Sequence, residues 1–520
     1  MTQKTAPARE QWSGQYGFLL AAIGSAVGLG NIWRFPGVAY SNGGGAFLLP
    51  YLVALLFVGI PVLLFDYSIG HRFRGSAPTI FHRISRRAEW MGWFQVLICF
   101  VIMCYYAVII AWAAAYAWFS VTKAWGSDAG TFFFSEFLSL PASHRLTITP
   151  DWSVLAPLAG VWAICLFIIA RGVAKGLEKA NRVFMPLLVV LFTALVLRAV
   201  FLPGALDGLT AFFTPNWAAL TQTSVWVAAF AQVFYSLSVG FGIMMTYSSY
   251  LKRRANLGGT GLVAAFANSS FEILAGVGVF AALGFMAFQQ QVSVGELENI
   301  SGVSLSFISF PTIVTMMPGG PIFGLLFFTS LVLAGLTSLT SLLQVVTAAV
   351  QEKFRLTAAT AALAVGIPAA LVSILLFGTT SGLYSLDIVD KHINEIGIVF
   401  IASTYLLYAS VGKKLLGELR HSLNIVSSVH VGRWWAIAVG YLIPAVLLYM
   451  LLTTAWSLLT NRYEGYPVWM LVTLGGGCLL FAAVVTGLLS LLRWRRVDNF
   501  TPLTLPAQLP PRPVKNGKEN

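Results

Sequence analysis

Asn31, Asn268 and Glu272 are polar side chains in stretches that are otherwise apolar. Asn268 and Glu272 are spaced i, i+4 and so share a helix face. A carboxylate in such a run is expensive to hold, which gives it a functional reading: it balances a cation's charge or carries a proton. The plainer reading is that Glu272 pairs with a polar neighbour. A second set, Ala334, Thr337 and Ser338, stands at i, i+3 and i+4. Two hydroxyls and a nearby carbonyl make a neutral oxygen set suited to a desolvated hard cation. Equally, both hydroxyls can bond back to their own helix. The third set is Gly24-Ser25-Ala26-Val27-Gly28-Leu29-Gly30-Asn31, followed by Ile32-Trp33-Arg34-Phe35-Pro36. Its three glycines and asparagine are poor helix formers. A break there makes sense around a polar cavity or ligand, because lipid cannot pair the freed backbone groups. Freed carbonyls would face a cation, and freed N–H groups an anion such as a carboxylate. The competing reading is close helix packing through small residues.

These sets need long helices to position them. The chain is 58% hydrophobic and 10% charged, with a mean hydropathy of +0.79, which places it among polytopic membrane proteins. Apolar runs long enough to span a bilayer number about twelve, helical in length, with none of the short alternating segments of a barrel. The polar start of the chain gives no cleavable signal peptide, and the first span serves as its own insertion signal. The sixth span reads Tyr235-Ser236-Leu237-Ser238-Val239-Gly240-Phe241-Gly242 at its centre. Val239-Gly240-Phe241-Gly242 nearly repeats Val27-Gly28-Leu29-Gly30, and an odd number of crossings sets the two spans in opposite orientations. Two Gly-interrupted spans in corresponding positions point to an inverted-repeat transporter with its site at the breaks. The expected fold is therefore an all-α polytopic membrane protein: a five-plus-five inverted repeat with broken first and sixth helices, plus two extra helices. Its organisation reads as an N-terminal cytoplasmic segment 1–14, a first repeat 15–205, a second repeat 206–411, helices eleven and twelve in 412–492, and a cytoplasmic tail 493–520.

The net charge of +13 is laid out in alternate loops: Arg72, Arg74, Arg83, Arg86 and Arg87; Arg171, Lys175, Lys179 and Arg182; Lys252, Arg253 and Arg254; Lys413, Lys414 and Arg420. That is the positive-inside pattern, with both termini cytoplasmic, and it reports topology rather than a nucleic-acid partner. Cys99, Cys104, Cys165 and Cys478 lie within apolar spans and have no metal-site spacing. Arg34 outside the first break, with Asp387 and Asp390 before the tenth span, suggests an outer gate. Arg9 near Trp12, with Tyr250 and Glu352, suggests an inner one. No nucleophile–base pair or Lys-containing phosphate loop appears, which argues against an enzyme.

The stretch 24–36, Asn42-Gly43-Gly44-Gly45-Ala46-Phe47 with Pro50-Tyr51, Gly59-Ile60-Pro61, Gly176-Leu177-Glu178-Lys179 with Met185-Pro186, and the segment 226–250 closely resemble the neurotransmitter:sodium symporters over the first ten spans. The resemblance implies a first sodium site from the Ala26 carbonyl, Asn31, Ser236 and Asn268, completed by the substrate's carboxylate. It implies a second from the carbonyls of Gly24, Val27 and Ala334 with the hydroxyls of Thr337 and Ser338. The substrate's carboxylate would meet the Leu29 and Gly30 amides and the Tyr106 hydroxyl. Its amine would meet carbonyls near Ala26, Tyr235 and Ser236 and the Ser238 hydroxyl. Ser25, Ile102, Phe241 and Leu342 would shape the side-chain pocket, with Ser338 at its border. Animal monoamine carriers of the family hold an aspartate where this chain has Gly28, and glycine leaves room for an amino acid's carboxylate. Chloride-dependent members have a serine at the position of Glu272. Here Tyr51, Gln232, Ser236 and Asn268 survive from the chloride set, and the fixed carboxylate supplies the charge, with protonation on the return step one role open to it. Tyr235 and Ser236 depart from the Phe-Thr pair of the bacterial leucine transporter.

The loops Gly70-His71-Arg72-Phe73-Arg74-Gly75-Ser76, Glu89-Trp90-Met91-Gly92-Trp93-Phe94-Gln95 and Ala124-Trp125-Gly126 look like those of a bacterial branch of methionine and alanine importers, some of which work with a very small membrane subunit. The expectation is a sodium-coupled symporter of a bacterial inner membrane, not an enzyme. It would use two sodium sites, need no chloride, and import a neutral, mostly apolar amino acid (methionine, alanine, leucine or an aromatic one) by alternating access. The rivals are a sodium-dependent amino-acid sensor and a transporter that needs a small single-span accessory subunit.

Overall fold

The computed structural model describes residues 10–141, 144–300 and 302–495. Ten helices among them are long and apolar enough to cross a membrane, and the bent pair Gln15–Ala26 with Gly30–Ser41 makes eleven. The sixth span, broken into Thr223–Ser236 and Ile243–Ser249, completes twelve. In order, the unbroken ones are Gly45–Phe73 (second), Arg86–Thr122 (third), Trp152–Ala170, Val173–Val200 (fifth), Leu257–Gln290 (seventh), Gly320–Phe354 (eighth), Ala358–Phe377, Gly382–Gly412 (tenth), Arg433–Gly465 and Val468–Leu491 (twelfth).

Local chemistry sets the helix ends. Asp151, Asn256 and Thr357 cap the fourth, seventh and ninth spans by accepting from Ser153, Gly259 and Thr360 backbone N–H groups at 3.1, 3.0 and 3.2 Å. Lys123, Gln291 and Arg355 close the third, seventh and eighth in the left-handed conformation. The most apolar stretch of the third span is 89% buried, and that of the twelfth only 22%. The third is thus a central post and the twelfth faces lipid.

The tenth span starts earlier than its hydropathy suggests. Helix begins at Gly382, so Asp387 and Asp390 lie inside it rather than before it. Its first turns, Asp387 to Glu395, are polar because they face the cavity described below and not lipid. The basic loops meet at one end of the molecule. There Arg74 donates to the Ser249 and Leu251 carbonyls, and Arg72 pairs with Glu418 at 2.7 Å.

The sequence's Gly176-Leu177-Glu178-Lys179 stretch joins the fifth span to the first. Glu178 accepts from the Ser13 N–H at 2.9 Å and from its hydroxyl, and is bridged to Arg182 at 2.6 Å. A Cβ added to Gly17 would overlap Glu178, and one added to Gly24 would lie 2.2 Å from Asn181 Oδ1. Close packing through a missing side chain is therefore the role of Gly17 and Gly24, whereas a Cβ on Gly30 would meet nothing within 4 Å.

Candidate functional site

The two breaks face each other. In the first span, Val27 turns extended (ψ 98°), and the next two N–H groups leave the helical ladder. Gly28 N donates to Asn31 Oδ1 at 2.9 Å, and Leu29 N to the Tyr106 hydroxyl at 3.1 Å. The carbonyls of Gly24 and Ser25 lose their helical donors as a result. Ser25 O instead accepts from Ser238 Oγ of the sixth span at 3.0 Å and from Ser338 Oγ at 3.5 Å. In the sixth span, Ser238, Gly240 and Gly242 take φ of +52°, +88° and +76°. That geometry is what the two glycines provide, and Ser238 adopts it under the hold of its bond to Ser25.

A polar chain runs away from the first break. Asn31 Nδ2 donates to Asn268 Oδ1 at 2.8 Å, and Asn268 Nδ2 to Ser236 Oγ at 3.1 Å. The side chains assigned to the first cation set thus lie in one buried network, on the first, sixth and seventh spans, with the Ala26 carbonyl two residues from Gly28. Each of these oxygens keeps a lone pair beyond the bonds it makes. For the second set, Thr337 Oγ1 bonds back to Ala334 O (2.9 Å) and Leu333 O (3.2 Å), and Ser338 reaches across to the first span. The back-bonding reading is thus present at Thr337, while the cross-helix contact of Ser338 goes to the Ser25 carbonyl, outside the set Gly24, Val27 and Ala334.

Glu272 is wholly buried one turn beyond Asn268. Gln232 Nε2 donates to its Oε1 at 2.7 Å, and the Tyr51 hydroxyl to its Oε2. Both oxygens accept, which suits the carboxylate form. No Lys, Arg or His contacts it among the described residues. It is a buried carboxyl group held by neutral donors.

Between the breaks lies a cavity of about 360 Å3. Ser25, Gly28, Ile102, Tyr106, Phe241, Ser338 and Leu342 line its deep end, and Arg34, Asp387, Asp390, Lys391 and Tyr463 its mouth. A Cβ on Gly28 would lie 2.6 Å from Ser338 Oγ and 3.0 Å from the Tyr106 hydroxyl, whereas one on Gly30 would meet nothing within 4 Å. Opposite the mouth, the molecule is shut. Trp12 is 2% exposed, its indole N–H on Tyr247 O at 2.9 Å and its ring packed edge-on against Tyr247 and Tyr250. Tyr250 accepts from Gln344 at 3.2 Å. Glu352 accepts from Ser76 N, Ser76 Oγ and Thr79 Oγ1 at 2.8, 2.7 and 2.6 Å. Arg9 lies outside the described residues.

At the mouth the expected ion pair is replaced by other contacts. The Arg34 guanidinium lies over the Tyr235 ring, 4.1 Å from its centre. Asp390 accepts from the Tyr105 hydroxyl and Asn394 Nδ2, both at 2.7 Å. Asp387 accepts from Tyr463 (2.9 Å) and Tyr466 (3.0 Å), at the turn between the last two spans. Sequence reasoning missed Tyr105, Asn394, Tyr463 and Tyr466. Asn394, at i+4 from Asp390, was the one with a readable spacing. The tyrosines come from segments whose proximity only the fold creates.

The profile of the sodium:neurotransmitter symporter family matches residues 9–131 and 125–497. An uncharacterised sodium-dependent transporter of Methanocaldococcus jannaschii is 38% identical over 467 residues, 88% of this chain and 93% of that protein. One from Bacillus subtilis is 30% identical over 459 residues, 85% of this chain and 97% of that protein. The human sodium- and chloride-dependent creatine transporter 1 is 31% identical over 371 residues, 64% of this chain and 58% of that protein. The crystal structure of MhsT in complex with L-phenylalanine superposes with a TM-score of 0.72 at 32% identity, covering 86% of this chain and all of that one.

Proposed function

The chain belongs to the sodium:neurotransmitter symporter family, a family of sodium-dependent membrane transporters and not enzymes, and on that premise we propose that its cargo is a neutral, mostly apolar amino acid. The observation that carries this reading is the end of the cavity that Gly28 lines. There the Tyr106 hydroxyl, the turned N–H groups of the first break and the Ser25–Ser238 contact converge, with apolar Ile102, Phe241 and Leu342 around them. Such a site offers donors to a carboxylate, acceptors to an ammonium and an apolar wall to a side chain. The MhsT structure, similar in fold and holding L-phenylalanine, supports this class of cargo.

Two sodium ions are assigned to the two oxygen sets, the first completed by the cargo's own carboxylate. Neutral oxygens at bends of broken spans are the arrangement such ions take in membranes. Glu272 supplies the fixed negative charge, so chloride is not needed. The basic-loop end is placed in the cytoplasm by the positive-inside rule. The structure then corresponds to a state open outward at Arg34 and Asp390 and shut inward at Trp12. Transport proceeds by closing the first gate and opening the second.

Purified protein in sealed liposomes tests this. Radiolabelled methionine, alanine, leucine and tryptophan are offered with and without an inward sodium gradient, and with gluconate in place of chloride. Sodium-driven, chloride-indifferent accumulation of one of them is expected. Sodium-dependent binding without accumulation, in vesicles shown to be sealed, overturns import by this chain alone in favour of sensing or of a missing accessory subunit.

A further inference from the structure

At the basic-loop end, the helix Ala77–Ile84 between the second and third spans is gripped at both ends by consecutive residues of the eighth span. Glu352 holds its start through Ser76 and Thr79. Its end is tied through Glu89: His82 Nδ1 lies 2.7 Å from Glu89 Oε2, and Lys353 Nζ 2.6 Å from Glu89 Oε1. Lys353 is 0% exposed, so this is a buried ammonium against a buried carboxylate. Such a pair is costly unless the remaining hydrogen-bonding positions are filled. Trp93 Nε1 fills one, at 2.8 Å from Oε1. The other is filled from a distant part of the chain: Trp494 Nε1 donates to Glu89 Oε2 at 3.0 Å.

Trp494 stands three residues past the end of the twelfth span, at the root of the C-terminal tail. Lys353 Nζ lies over its ring, 4.9 Å from the centre, and the His82 ring meets it edge-on at 5.6 Å. The next residue, Arg495, donates its N–H to the Lys353 carbonyl at 3.3 Å. The indole therefore works as a hydrogen-bond donor, a cation-binding face and a cover over the ion pair. Ala77 also lies against the inner half of the sixth span: a Cβ added to Gly242 would come within 3.2 Å of Ala77 Cβ. That half carries Tyr247 and Tyr250, which hold Trp12.

We propose that Trp494 is a positioning residue of the inner gate. Docked on the Glu89–Lys353 pair, it locks the Ala77–Ile84 helix to the eighth span and favours the inward-shut state. When it leaves, the helix loosens and the inner end opens. The C-terminal tail thereby gains control over which side of the membrane the cargo site faces. The inference rests on the alternating-access reading above.

The test uses full-length protein in nanodiscs with W494A, W494F and the control W469A, which removes a tryptophan exposed on the twelfth span. Hydrogen exchange is followed over Ala77–Ile84, and sodium-dependent binding is measured with the same four labelled amino acids. W494A is expected to speed exchange in that helix and to raise the apparent Kd about fivefold, the low end of coupling between distinct sites. Raised sodium should recover the affinity, because an ion that prefers the outward state draws the population back. W494F keeps the ring and loses the N–H, and should fall between; it decides the matter if W494A does not fold. Exchange over Ala77–Ile84 equal to wild type in both variants, or faster exchange with unchanged Kd, overturns the proposal. Wild-type protein that binds none of the four overturns the transport reading itself, a result seen before any variant is compared.

Discussion

At the scale of single residues, Glu272 and Gly28 carry the sharpest expectations. Glu272 is fully buried, and both of its oxygens accept from neutral donors, Gln232 and Tyr51. In Glu272→Gln the amide can still accept from Gln232 and donate to the Tyr51 hydroxyl, whose own proton turns to Ser269, so what is lost is the negative charge. Sodium-driven uptake should fall at least tenfold. Glu272→Ser instead leaves a small space framed by two donors and missing its negative charge. Its uptake should return when chloride is present and vanish in gluconate, while wild type is indifferent to the swap. A wild-type rate that collapses in gluconate would refute the role given to the carboxylate. Gly28→Ala tests the cargo site directly. The added carbon falls 2.6 Å from Ser338 Oγ and 3.0 Å from the Tyr106 hydroxyl, so those groups must turn away from whatever they hold. Losing one hydrogen bond to a charged group costs about 1.5–3 kcal/mol, so KM should rise at least tenfold while protein yield and Tm stay near wild type.

At the scale of elements, the proposed site sits at the breaks, and backbone chemistry decides the breaks. Gly240 sits at φ +88° with Phe234 and Ile398 within 3.2 Å of any added Cβ. Gly240→Ala therefore meets both strain, about 1–3 kcal/mol, and a clash. It should lower Tm in a thermal-melt assay by several degrees and reduce cargo binding. An unchanged melt would show that the sixth-span break does not need this conformation. These breaks were legible in the sequence because Gly-interrupted spans in corresponding places have few explanations. Asn31, Asn268 and Glu272 were legible because buried polar groups are rare in apolar runs. The mouth was less so. Hydropathy started the tenth span too late, since Asp387, Asp390, Lys391 and Glu395 face water in a cavity rather than lipid. No local pattern announces that Tyr463 and Tyr466, outside the repeat, would hold Asp387. Nor does one announce that Trp494 would reach Glu89, since a residue's spacing speaks only for its own helix.

At the scale of the whole molecule, the question is why two gates and two ligands should act as one machine. The first oxygen set, Asn31, Asn268 and Ser236, is linked by hydrogen bonds to Gly28, which lines the cavity proposed for the cargo. If the cargo's carboxylate completes that set, sodium and amino acid each build part of the other's site. Thermodynamic linkage then requires the effect to be reciprocal: the factor by which sodium tightens cargo binding equals the factor by which cargo tightens sodium binding. Titrating labelled amino acid at low and at saturating sodium gives the first factor. Titrating sodium with and without saturating amino acid, read by thermal stabilisation, gives the second. Both should agree, within the range of about 5–150-fold typical of coupled sites. A sodium-induced rise in Tm with no change in cargo Kd would place the ion somewhere other than beside the cargo. Two sites that fill together would also give the closed inner end a purpose. On the proposed reading, Trp12 packed against Tyr247 and Tyr250 would seal the path until both ligands are in place, so that the sodium gradient is spent only when an amino acid crosses with it.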